Sequence, residues 1–182
     1  MTHYGLPYFL EDKTGSLAGS DFVDIHDRMR LSVRCTARDA HRCAFMIYNM
    51  NPSVGGLLKP CAVLDFGPNN TLGTVAIGSG CHIPMTRYLT KVSPLGSSRT
   101  RKFIASDGQE YRWNWRARDN CEWVCQNGKN YMVACYNLKL PEEPPYSGSS
   151  GCMLTIEEAY CHLAVEFLAS LMIMRYIAAY DL

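Results

Sequence analysis

No two of the nine cysteines stand two residues apart, so the C-x-x-C pairs of redox centres and zinc knuckles are missing. Cys81 and His82 with Cys121 and Cys125 come nearest to a zinc set, but structural zinc uses closer pairs. No metal and no cofactor is expected. Absent too are a nucleophile elbow, a phosphate loop and an H-E-x-x-H helix. An excess of either charge is lacking: the formal net charge is +1 and the pI near 7.5. No global field therefore draws the chain to nucleic acid or an anionic membrane, and a charged partner must be met by a local patch. Nucleic acid is not an expected partner. The first fifteen residues hold no basic stretch followed by an apolar core, so no secretory signal is expected, and neither end carries a lipidation motif. The cysteines then read as reduced thiols of a cytoplasmic protein, most of them small buried hydrophobes. A long uncharged run is missing as well. Glu166 and Arg175 leave only the eight residues from Phe167 to Met174, against about 20 needed to span a bilayer. No transmembrane segment is expected.

What the sequence does have is one strong helical signal, Leu154 to Ala179. Thr155 followed by Glu158 has the form of a capping box, with Glu157 and Glu158 at the positive end of the dipole and Arg175 near the negative end. Apolar residues then run almost all the way round, which places the helix in the middle of a protein. The helix is expected over residues 155–178, with the rest of the chain as its wall.

That wall reads as short extended runs between turns, over residues 20–140: Asp21 to Ile25, Met29 to Thr36, Cys43 to Met50, Cys61 to Phe66, Leu72 to Ile77 and His82 to Lys91. The clearest hairpin follows, Arg99 to Ala105 and Glu110 to Arg118 around Asp107-Gly108. In its second strand Tyr111, Trp113 and Trp115 alternate with Arg112, Asn114 and Arg116. Another hairpin surrounds Asn127-Gly128, and residues 141–153, rich in Pro, Ser and Gly, form a linker. Turn spacing of roughly 8–12 residues is that of an antiparallel sandwich or barrel. A chain of 182 residues fits a single domain, mainly β with one long C-terminal helix.

Four segments carry a resemblance: Phe66–Gly78, Pro84–Lys91, Ser97–Trp115 and Leu154–Ala178. They resemble a domain-of-unknown-function family of mushroom-forming fungi, which in turn looks like a branch of the tubby-like, LURP-one and scramblase group. The resemblance implies a closed antiparallel β-barrel around a buried hydrophobic helix. Tubby-like members bind phosphoinositide headgroups through basic residues, and their motif has no position-by-position counterpart here, so lipid binding rests on fold analogy.

Three constellations could carry chemistry. Arg99, Arg101 and Lys102 with Arg112, Arg116 and Arg118 would share one hairpin face and grip phosphate or carboxylate. The alternative is a solvated face balanced by Asp107, Glu110 and Asp119. Along the helix, Glu158, His162, Glu166 and Ser170 are spaced four apart, a polar stripe with His162, Glu166 and Ser170 as acid–base candidates. Otherwise the stripe meets solvent or a gap between strands. His26 with Asp24 and Asp27, and His41 between Asp39 and Arg42, lie in turns and read as loop residues.

Two functions stay open. One is a cytoplasmic tubby-like binding protein for an anionic lipid headgroup or a protein partner. The other is a cyclase- or isomerase-type enzyme of fungal secondary metabolism, holding a small hydrophobic molecule between helix and wall. A pocket touching His162, Glu166 or Ser170 is the observation that separates them.

Overall fold

Successive side chains leave a pleated backbone on opposite sides, so alternating apolar and polar residues build a sheet with one buried face. The computed structural model describes residues 5–39, 41–51, 59–116, 122–139 and 147–182, and in it this alternation becomes one antiparallel sheet of thirteen strands. The first half is a meander of β1 (Tyr8–Asp12), β2 (Gly19–Asp24), β3 (Arg30–Arg38), β4 (Cys43–Asn49), β5 (Pro60–Phe66), β6 (Thr74–Ile77) and β7 (Ile83–Pro84). The short helix α1 (Met85–Tyr88) follows. A second meander runs through β8 (Thr90–Lys91), β9 (Thr100–Ile104), β10 (Glu110–Arg116), β11 (Glu122–Asn127), β12 (Met132–Asn137) and β13 (Cys152–Ile156). β13 pairs with β1, Leu10 opposite Leu154, and so joins the halves. The helix α2 (Ala164–Tyr180) comes last.

Every α2 residue from Glu166 to Ile177 is buried, so the helix is covered on all sides. Phe66 of β5 stacks on Tyr176 at 3.7 Å between ring centroids. Phe103 of β9 and Tyr111 of β10 meet Phe167 edge-on, at 6.4 and 5.3 Å. β5 and β9 lie near opposite ends of the strand order, and both touch the same rod. The sheet therefore curls around it. The stretch Glu158–Tyr180 is long and apolar enough to cross a membrane by length and composition, and 72% of its apolar window is buried inside this wall.

The ladder does not close into the expected barrel. β7 and β8 are its two edges, with no pairing between them. Each is two residues long, and Pro84 lacks a ladder donor, so hydrogen bonding stops there. The run from His82 to Lys91, expected as one strand, is instead β7, α1 and β8. α1 plugs the gap with buried Met85 and Tyr88.

Further departures concern boundaries. The wall starts at Tyr8, because β1 fills the place between β2 and β13. The expected helix over residues 155–178 begins at Ala164. Thr155 is a strand residue between Phe9 and Cys135, and Glu158 opens a six-residue 3-10 segment and accepts from the Gly5 N–H at 2.7 Å. Pairing on both sides of β13, whose residues alternate inward and outward, outweighs the local capping signal. Of the linker expected over 141–153, residues 141–146 lie outside the described ones, and Cys152 and Met153 belong to β13. In the 106–109 turn only Gly108 takes positive φ, at 78°, so Ala105 and Gln109 close a three-residue loop rather than a two-residue one.

The turn between β2 and β3 has a testable acid signature. Asp24 is buried and accepts from Phe9 N–H (2.9 Å) and from Arg28 Nε and Nη2 (2.7 and 3.1 Å). Burial pushes its carboxyl up, but the bonds from Arg28 and Phe9 outweigh that and hold it below its ordinary value. A depressed carboxyl adds stability above its unfolded pKa of about 3.9 and loses it as the pH falls through the lower folded value. The stability gap between wild type and Asp24→Asn should therefore be widest near neutrality and narrow in acid. Urea melts giving the same gap at pH 7 and pH 2 would show that this carboxylate has no linkage.

Candidate functional site

The polar stripe of the helix does not form a single site. His162 lies in the 3-10 segment before α2 and is exposed. Ser170 is fully buried, accepts from Trp113 Nε1–H at 2.8 Å and donates to the Phe167 carbonyl at 3.1 Å. It positions a tryptophan and has no proton to spare. Glu166 does reach a cleft. Its carboxylate accepts from the Ser106 N–H at 2.9 Å and from the Ser106 hydroxyl, which ties the 106–109 turn to the first turn of α2.

The basic hairpin face is also divided. β9 alternates, so Arg101 turns inward beside Phe103 while Lys102 turns outward opposite Arg112. Arg101 is 5% exposed and donates to the backbone oxygens of Ser98, Leu89 and Leu182 at 3.0, 3.4 and 3.5 Å; burial lowers its pKa. Outside, Lys102 pairs with Glu110 at 2.8 Å and Arg116 with Glu122 at 3.9 Å. Arg112 donates to Asn130 Oδ1 at 2.9 Å and Gln126 Oε1 at 3.4 Å. Arg118 lies outside the described residues. Arg99 has no hydrogen-bond or ion-pair partner for its side chain among the described residues.

Arg99 instead joins a cleft at the rim where α2 ends. Trp115, Trp123, Leu17 and Leu138 wall a space of about 280 Å³, with Arg99 and Arg175 at its sides. The two indoles lie 5.0 Å apart, tilted by 56°. Arg175 is held from below. Its Nη1 faces Asp12 Oδ2 at 3.4 Å, its Nη2 donates to the Gly15 carbonyl at 2.6 Å, and its guanidinium lies 4.7 Å from the Tyr136 ring centre. Asp12 is fully buried and further accepts from the hydroxyls of Tyr136 (2.7 Å) and Ser20 and from the N–H groups of Gly15 (2.8 Å) and Thr14 (3.2 Å). This arrangement offers an apolar, aromatic floor with one neutralised guanidinium and one that is unpaired among the described residues.

A second cleft, about 290 Å³, opens along the seam between the sheet's two edges. Val75, Ile77 and Ile83 line one side, Ile104 and Ala105 the other, with Tyr88 and Glu166 also lining it. Nothing local in the sequence marks Tyr88 or Ser106, because they share this cleft with Glu166 across 78 and 60 positions of chain.

His41 and Arg42 are ordinary loop members: their N–H groups bond Asp39 Oδ1, and Arg42 grips Asp65 with two bonds of 2.8 Å. His26 donates its N–H to Asp24 at 3.3 Å in the β2–β3 turn. Eight cysteines of the described residues are free thiols, and no group of three or more His, Cys, Asp or Glu among those residues could hold a metal ion. Comparison with family models, with curated proteins and with solved structures returned no match.

Proposed function

We propose that this chain is a non-catalytic, cytoplasmic binding protein related to the tubby-like group, its β wall left open at one seam, whose rim cleft recognises an anionic headgroup. The observation that carries this reading is the Arg99 guanidinium, unpaired among the described residues, in one cleft with Trp115, Trp123 and the fixed Arg175. A guanidinium can bind phosphate or carboxylate in a two-pronged fashion, and indole faces accommodate the attached apolar part. The resemblance to the fungal family, and through it to tubby-like proteins, suggests phosphoinositide as the first headgroup to try. The enzyme reading receives less support. His162 is exposed, Ser170 is committed to Trp113 and Phe167, and Glu166 stands in its cleft without either of them.

The test is co-sedimentation with neutral vesicles, with and without phosphoinositide. Binding should require the phosphoinositide and fall as salt is raised, because exposed charges are screened within about 8–10 Å at physiological ionic strength. Arg99→Glu should remove most of it. The double change Arg112→Glu and Arg116→Glu should matter less, since Arg112 is held by Asn130 and Gln126 and Arg116 faces Glu122. Equal retention on neutral vesicles would sink the proposal, and loss only in the double variant would move the site to the outer hairpin face.

A further inference from the structure

We infer that the seam cleft is a second, separate ligand site, built for a small organic cation with an apolar body. Glu166 is 7% exposed, yet it has no ion-pair partner among the described residues. Two donors from Ser106 satisfy part of its hydrogen-bonding capacity and none of its charge. A carboxylate lodged among Val75, Ile77, Ile83 and Ile104 attracts a cation more strongly than it would in water. Arg87 and the Lys102–Glu110 pair line the adjoining outer groove and not the cleft over Glu166, and Asp107, next to Ser106 in the turn, accepts from the Tyr111 hydroxyl at 2.7 Å.

An independent observation points the same way. Tyr88 lines this cleft, is 9% exposed, and its hydroxyl is buried without a hydrogen-bond partner among the described residues. Buried hydroxyls without partners are uncommon, because each forfeits its hydration for nothing. A ligand with an acceptor beside its cationic group would supply the missing bond. The Tyr88 ring, packed against Phe103 with centroids 5.5 Å apart, gives the cleft an aromatic wall that a cation can use. The volume of about 290 Å³ suits a molecule with one ring or a short branched chain.

The whole protein should be titrated with benzylammonium, benzyl alcohol and benzoate, three probes of nearly one shape and different charge, and binding followed by NMR. Benzylammonium should bind saturably and about tenfold tighter than either control, the gain expected of a charge-assisted contact. Glu166→Gln, which keeps the shape and the acceptor oxygen, should lose that advantage. Tyr88→Phe removes a hydroxyl that bonds nothing among the described residues, so it should fold as before; it should also weaken a cation bearing an acceptor, such as 2-methoxyethylammonium, more than benzylammonium. Benzoate or benzyl alcohol binding as tightly as benzylammonium would overturn the assignment. So would unchanged benzylammonium affinity in folded Glu166→Gln, or no binding of benzylammonium to the wild type. Arg99→Glu should leave all of these titrations unchanged, which separates the seam from the rim.

Discussion

Arg175→Met is expected to destabilise the protein by about 3–5 kcal/mol, the range for removing one partner of a buried ion pair. Asp12 and Arg175 are 0% and 9% exposed at their side chains. Methionine fills the space of the Arg175 stem, so the loss falls on charge rather than volume. Asp12 would keep its bonds from Tyr136, Ser20, Gly15 and Thr14, but no cation would balance it. Asp12→Asn together with Arg175→Met should be milder than the sum of the two single changes, with a coupling of about 0.5–3 kcal/mol for groups in one network. Urea melts of all four proteins supply the cycle. Additive single effects would show that the two side chains do not depend on each other.

Leu168→Ala and Leu171→Ala should each cost about 2–5 kcal/mol, as truncations in a closed core do. Both residues are fully buried, on a helix covered on every side, so the space they vacate has no free surface from which to refill. Losses under half a kilocalorie at both positions would mean that α2 is not the core. By contrast, the exposed His162 should accept alanine with a change within about 0.5 kcal/mol.

The strands were readable because their inward residues repeat every second position. β2 alternates Ser20, Phe22 and Asp24 inward, and β5 does the same with Ala62, Leu64 and Phe66. The helix was readable for the opposite reason: a segment apolar all round has to be enclosed. Three things escaped. Thr155 and Glu158 form a cap signal that the two neighbours of β13 override, and no local window contains those neighbours. Arg101 and Lys102 are adjacent in one strand and cannot share a face, so the six-residue basic patch contradicted the period that built the hairpin. The clefts join residues from distant strands. Trp123 meets Trp115 through pairing of β10 with β11, while Arg175 joins them from α2, more than fifty positions further along the chain. The open seam depends on two strands of two residues each, too short for a periodic signal.

The order of elements along the chain bears on how the protein is made. All thirteen strands precede α2, so during synthesis the wall leaves the ribosome before its filling does. Until Phe167 to Ile177 arrive, the inward rings of Phe45, Phe66, Phe103, Tyr111 and Trp113 have no rod to pack on. At about 5–20 residues per second, an interval of one to a few seconds separates the end of β13 from the end of α2. During that interval the apolar inner face of the sheet has no helix to cover it, and premature termination within α2 would leave it bare.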